Sequence, residues 1–247
     1  MEQNLSLRLQ KILAAIVKEY SETAQPVGSK ELVEKYNLKV SAATIRNEMG
    51  LLEELGYISQ PHKSAGRVPT DAGYRFFVNE LMQRFELTEK ERRRLKTELI
   101  KLQAAHEQIG RSISKLVSEV SGQAAFTLLP HDTSTAGLAQ IIDQHDMADS
   151  QTLRSVAELF DHLDQHAEKL LKEAEGSAEA FIGKEVPLPV PNNLSLVVSN
   201  IKFKNGTRGL IGIVGPKRMS YAKNLSIVEY LARLISGSAV LIMVVYV

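Results

Sequence analysis

From Leu9 the apolar residues Leu9, Ile12, Leu13, Ile16, Val17 and Tyr20 recur at i, i+3, i+4, i+7, i+8 and i+11, one face of an amphipathic helix. The pattern stops near Ser21, ahead of Pro26 and Gly28. Ser29 then reads as the cap of a short helix over 30–36, with Leu32, Val33 and Tyr36 turned inward, before a brief turn through Asn37 and Leu38. Ser41 caps a third helix over 42–55, whose two faces separate cleanly. Ala42, Ile45, Met49, Leu52 and Leu55 make the inward stripe, while Ala43, Arg46, Asn47 and Gly50 make a small polar face. Helices in this order predict a helix-turn-helix. A small face with Arg and Asn near a helix N-terminus suits a major groove, where Arg reads guanine and Asn adenine, although a solvated helix face gives the same pattern.

Gly56-Tyr57-Ile58 ends that helix and starts a strand, and residues 60–70 form a basic, acid-free loop before a second strand-like piece. This predicts a wing, a two-stranded ribbon that sets Lys63 and Arg67 against phosphate or minor groove. Thr70 or Asp71 caps a further helix over 72–85, returning Tyr74, Phe77, Val78, Leu81 and Met82 to the core. Thr88 with Glu91 is a capping box. Beyond it Leu95, Leu99, Leu102, His106, Ile109, Ile113, Leu116 and Val120 alternate at four and three residues, the heptad spacing of a coiled coil. Two readings fit: an intermolecular seam through Leu95, Leu99, Leu102, Ile109 and Ile113, or a long helix packed on its own chain. His106 reads as a polar register-setter.

Residues 121–236 read as α plus β. Strands are expected at 124–129, 194–203 and 208–214, the last two joined around Asn205-Gly206, a type I′ hairpin signal. Helices are expected at 138–144, 151–175 and 221–235, on one face of the sheet, and the apolar tail 239–247 as a terminal strand.

Composition narrows the class. The 247 residues are long enough for one large or two modest domains, with 30 Lys plus Arg against 29 Asp plus Glu and no Cys. A net charge of +1 gives no global field for nucleic acid, so a charged partner must meet a local patch. Without Cys there is no disulfide, thiolate metal site or cysteine nucleophile. The N-terminus lacks the pattern of a signal peptide, and the longest apolar run falls short of a membrane span, so a cytoplasmic protein without membrane contact is expected. Charge alternates along the chain: residues 121–170 are acidic, and residues 199–223 carry six Lys or Arg and no acid.

Competing chemistry is weak. His162 and His166 at i, i+4 beside Glu158, Asp161 and Asp164 suggest a metal-sensing repressor, yet no third ligand is evident and no metal site is assigned. Gly176 to Lys184 is no P-loop, since Glu185 replaces the required Ser or Thr. Gly209, Gly212 and Gly215 mark close packing in a strand rather than a nucleotide site. No arrangement argues for an enzyme or a cofactor.

The runs ILAAIVKEY, PVGSKELVEKYNL and SAATIRNEMGLLEELGYISQPHKSAGRVPTDAGYRFFVNELM closely resemble the winged-helix domain of the heat-inducible transcription repressors known as HrcA, with Ser41 to Phe77 close to a signature. PLPVPNNLSLVVSNIKFKNGTRGLIGIVGPKRMSYAKNLSIVEYLARLIS is similar to the end of the family's GAF-like regulatory domain. Family members run longer between the two, with an inserted dimerising domain where this chain has a short acidic stretch. The resemblance implies an α+β chain: a winged helix-turn-helix over 1–87, a connecting helix over 88–120 and a truncated GAF-like domain over 121–247. It implies a homodimeric repressor of chaperone genes on double-stranded DNA, at the inverted repeat called CIRCE, released on heating and assisted by the chaperonin GroEL. Thr44, Arg46 and Asn47 would then read base edges beside Ala43, Ser41 would meet phosphate, and His62, Lys63, Ser64 and Arg67 would hold the flanking backbone. The alternative is a metal- or ligand-regulated winged-helix repressor with another operator.

Overall fold

The structure, a computed structural model, describes residues 5–237 except 37, 39, 84, 105–108, 131, 143–149, 175–177 and 204–205. It divides into two compact units: Met1–Gln83 with Lys217–Ser220, and Arg84–Pro216 with Tyr221–Val247.

In the first unit α1 (Leu7–Thr23) is capped by Ser6, whose hydroxyl accepts from Leu9 N at 3.3 Å, and it buries Ile12, Leu13, Ile16 and Val17. Next come α2 (Ser29–Tyr36) and α3 (Ala42–Glu54). Val33 and Tyr36, expected inward, are half-buried, and Leu55, expected in the core, is 38% exposed. The chain turns there through Gly56 at φ +79°, Tyr57 N closes on Leu52 O, and Ile58 takes the inward place. β1 (Ile58–Ser59) and β2 (Val68–Pro69) then pair antiparallel. The ribbon is pinned at its base, where Arg67 and Val27 exchange both backbone hydrogen bonds at 2.9 Å. Gly66 lies so close to the Val27 carbonyl that a Cβ would collide with it.

Thr70 caps α4 (Asp71–Phe76), accepting from Gly73 N at 3.1 Å. The helix expected to reach residue 85 instead widens into one π-helical turn over Phe77–Leu81 and stops at Met82, which is extended. Widening breaks the three-four spacing. Tyr74 is buried, whereas Phe77, Val78, Leu81 and Met82 are only half-buried.

The second unit corrects the long connecting helix. α5 (Glu89–Ala104) and α6 (Ile109–Ser121) pack on each other, and the Arg94–Glu119 ion pair at 2.9 Å makes them antiparallel. Leu95, Leu99, Ile113, Leu116 and Val120 are buried within this one chain, and Ile109 is half-buried, so the heptad seam is closed internally. The Leu102 side chain and His106 fall outside the described residues. α6 starts afresh because Asp132 receives the Gly110 amide at 3.0 Å, in a space that a Cβ would overfill. At the head of α5 the capping box forms: Thr88 N donates to Glu91 Oε2 at 2.8 Å and Glu91 N to Thr88 Oγ1 at 3.2 Å, which lowers the Glu91 pKa.

Five antiparallel strands follow in the order β4-β3-β7-β6-β5: β3 (Ala124–Leu129), β4 (Asp132–Ala136), β5 (Glu179–Ile182), β6 (Leu194–Lys202) and β7 (Arg208–Pro216). β4 and β5 are additions to the sequence reading. So is the third layer: helices cover both faces, not one. α7 (Leu138–Ile142), α8 (Ser150–Asp161) and α9 (Ala167–Glu173) contribute to an apolar core with Phe126, Leu128, Leu196, Val198 and Val214. α6 and α10 (Tyr221–Gly237) pack on the sheet with the alternate residues, and polar groups are buried there: Ser114, Ser118, Thr127, Ser195, Ser199 and Asn224. Ser114 and Thr127 hydroxyls bond at 2.8 Å, and Tyr221 donates to Ser195 at 2.9 Å. Among the described residues Ser118 Oγ and both amide atoms of Asn224 have no partner. The close-packing role of Gly212 holds, because a Cβ would strike the Phe126 ring. Gly206 is at φ +86°, as a hairpin turn requires, whereas Asn205 and the tail 239–247 lie outside the described residues.

The helix expected over 151–175 is three pieces, α8, a 3₁₀ turn over Leu163–His166 and α9. His162 therefore follows α8 and His166 closes the 3₁₀ turn, so the two do not lie on one continuous α-helix.

Candidate nucleic-acid interface

α3 is placed by charges that its own face does not show. Glu48, buried on its inner side, pairs with Arg8 of α1. Glu19 of α1, also buried, pairs with Lys35 of α2, and the Tyr36 hydroxyl donates to it at 3.4 Å. Burial and the neighbouring Glu19 carboxylate push the Tyr36 phenol up to about 12, and hydrogen bonds to Glu19 and Glu31 raise Lys35. These pairs tie α1 to both helices of the motif.

With its inner side fixed, α3 exposes Ala43, Arg46 and Asn47, with Gly50 half-exposed. Ser41 caps the helix, accepting from Thr44 N at 3.1 Å, and its hydroxyl lies 2.9 Å from that of Thr44. The wing tip is folded back by Gln60, whose amide donates to Lys63 O at 3.1 Å and Ala65 O at 2.9 Å. His62, Lys63 and Ser64 are exposed on it.

Arg67 sits differently from the sequence expectation. Its Nε and a terminal nitrogen reach Glu53 Oε2 at 3.0 and 2.9 Å, which fastens the wing to the end of α3. Between wing, α3 and the start of α2 lies a cleft of about 460 Å³, lined among others by Lys30, Arg46, Gln60, Lys63 and Arg67 and by no acidic side chain. Lys30 and Gln60 are the members that sequence reasoning missed. Lys30 looked like any solvated cation on a short helix, and only the fold brings it to the same cleft as Lys63.

A recognition helix and a wing around an acid-free basic cleft are the fold and site of the winged helix-turn-helix class of transcription repressors. The chain matches the winged helix-turn-helix transcription repressor, HrcA DNA-binding domain over residues 4–83 and the HrcA protein C-terminal domain over residues 72–225. It belongs to the HrcA family. Among its relatives are proteins named heat-inducible transcription repressor HrcA. That of Pelotomaculum thermopropionicum is 44% identical over 142 residues, 56% of this chain and 40% of that protein. That of Desulforamulus reducens is 61% identical over 84 residues, 34% of this chain and 24% of that one. That of Desulfitobacterium hafniense is 36% identical over 179 residues, 63% and 52% of the two chains. The matched stretches thus span about half or less of these relatives. A solved hypothetical protein shares the fold at a TM-score of 0.75, with 20% identity, over 95% of this chain and 98% of that one. Among the described residues no helix is long and apolar enough to cross a membrane.

Proposed function

We propose that the chain is a DNA-binding transcriptional repressor of heat-shock genes that binds a CIRCE-type inverted repeat as a dimer in the cytoplasm and leaves it on heating. The observation that carries this reading is the exposed Ala43-Arg46-Asn47 face of α3 beside the acid-free cleft of Lys30, Arg46 and Lys63. In the reading Arg46 and Asn47 take base edges with Thr44 and Ala43 against them, as bidentate side chains do in a major groove. Ser41 presents the N-terminus of α3 to a phosphate. Lys63, Lys30, His62 and Ser64 hold the flanking backbone, and Arg67 keeps the wing in place to do so. A dimer follows from the two-fold symmetry of an inverted repeat; Leu95, Leu99 and Ile113 of the heptad stripe are buried within this chain. Assistance by GroEL is part of the proposal through the family alone.

The test is fluorescence anisotropy on a labelled inverted repeat and a scrambled duplex, at two salt concentrations and across a heating ramp. Preference of about a thousandfold or more, lost on heating, supports the reading. Equal, salt-sensitive binding to both duplexes rejects the operator assignment.

A further inference from the structure

The winged helix leaves the basic stretch 199–223 unexplained. The fold gathers part of that charge at one place in the second unit. Lys202 and Arg208 stand directly opposite each other at the ends of β6 and β7, where like charges repel. Lys172 of α9 joins them. The three cations line a cleft of about 660 Å³ with Asn200, Ser236 and Glu168.

Outside the acid-free cleft of the first unit, several cations have counter-ions: Lys35 has Glu19 and Glu31, Arg67 has Glu53, and Arg94 has Glu119. Among the described residues, the side chains of Lys172, Lys202 and Arg208 make no ion pair or hydrogen bond, and Glu168 stays beyond pairing distance of all three. The convergence is repulsive until an anion enters, and a concave site focuses that positive field. Two polar residues add selectivity. Ser236 accepts from Lys202 N at 3.3 Å, which leaves its own hydroxyl hydrogen to give. Asn200 donates its amide to Ala174 O, so its Oδ1, buried and without a partner, is an acceptor awaiting a donor. Anion-binding cations beside an unused acceptor fit a molecule that carries both phosphate and hydroxyl groups. The volume lies in the range of small-molecule sites.

We propose that this cleft binds a small phosphorylated, hydroxyl-bearing metabolite of the sugar-phosphate class, with Lys172, Lys202 and Arg208 on the phosphate and Asn200 on a hydroxyl. The cleft is formed within the second unit, and its assignment does not rest on the nucleic-acid reading.

Isothermal titration calorimetry of the full chain at fixed ionic strength tests this, with ribose 5-phosphate as probe and ribose and inorganic phosphate as comparisons. Saturable one-to-one binding of ribose 5-phosphate is expected, with no binding of ribose. Arg208→Glu and Lys172→Glu, checked for folding by circular dichroism, should each weaken it at least tenfold. Lys169→Glu, on α9 but outside the cleft, should leave it unchanged. Asn200→Ala should weaken ribose 5-phosphate and spare inorganic phosphate. No binding at millimolar probe overturns the proposal, as does binding that a folded Arg208→Glu chain retains. Loss of duplex DNA affinity in Arg208→Glu without any probe binding would also overturn it, in favour of a second nucleic-acid contact.

Discussion

Arg67→Ala separates a wing anchor from a phosphate contact. The guanidinium makes two approaches to one Glu53 oxygen, with the two side chains 18% and 35% exposed. Exposed pairs are worth about 0.2–1 kcal/mol, and losing one partner of a buried pair costs about 3–5 kcal/mol, so this half-covered pair should contribute about 1–1.5 kcal/mol. Arg67→Ala and Glu53→Ala should each destabilise the chain by that amount, and the double variant by little more than either, since the same pair is lost. Denaturant melts of the four chains measure this. Operator titrations across several salt concentrations give the complementary reading. An anchor lost from the wing weakens binding without changing the salt slope, whereas a lost phosphate contact flattens the slope by about 0.9. A slope reduced by about one in Arg67→Ala, with strictly additive melts, would refute the anchor and return Arg67 to the phosphate.

Arg46→Ala removes no partner inside the free chain, so it should leave stability unchanged, cost about 1–3 kcal/mol of operator binding and relax base preference. Lys63→Ala should weaken all duplexes alike and flatten the salt slope by about one, read in the same titrations. Leu99→Ala should destabilise the chain by about 2–5 kcal/mol while leaving its sedimentation-measured oligomeric state intact, because Leu99 fills this chain's own core. Tyr36, raised from its ordinary 10.0 to about 12, keeps its proton in the fold after an unfolded chain would release it. Stability should therefore fall as pH climbs from about 10 towards about 12, as the ion pairs of Lys35 are lost on the same side. An ultraviolet titration should lose one late-titrating tyrosine in Tyr36→Phe, and an unchanged late phase in that variant would contradict this.

The first eighty residues were legible because their signals are local. Ser41 and Thr70 announce their helices through caps, Gly56 ends α3, and the apolar spacing of α1 and α3 matches one buried face each. Long-range partners were not legible, since nothing in the sequence says that Arg67 will find Glu53 or that Lys30 will line one cleft with Lys63. The heptad stripe was ambiguous in principle: an antiparallel neighbour in the same chain covers Leu95 and Leu99 as well as a second chain would. β4 escaped notice because Asp132-Thr133-Ser134-Thr135-Ala136 has no apolar alternation and owes its place to pairing with β3. The third layer was readable with hindsight in β6 and β7, whose nearly unbroken apolar runs belong to strands covered on both faces.

The two coatings of that sheet are held by different chemistry. The side under α7, α8 and α9 is mainly hydrocarbon, with Thr152 of α8 accepting from the Asn193 amide at 3.2 Å. The side under α6 and α10 relies in part on hydroxyl pairs such as Ser114 with Thr127, and it carries the unmatched Ser118 and Asn224. The sheet is thus fastened like a laminate with two different glues: a hydroxyl removed at Ser114 or Thr127 weakens the hold of α6 and leaves the packing of α7, α8 and α9 as it was.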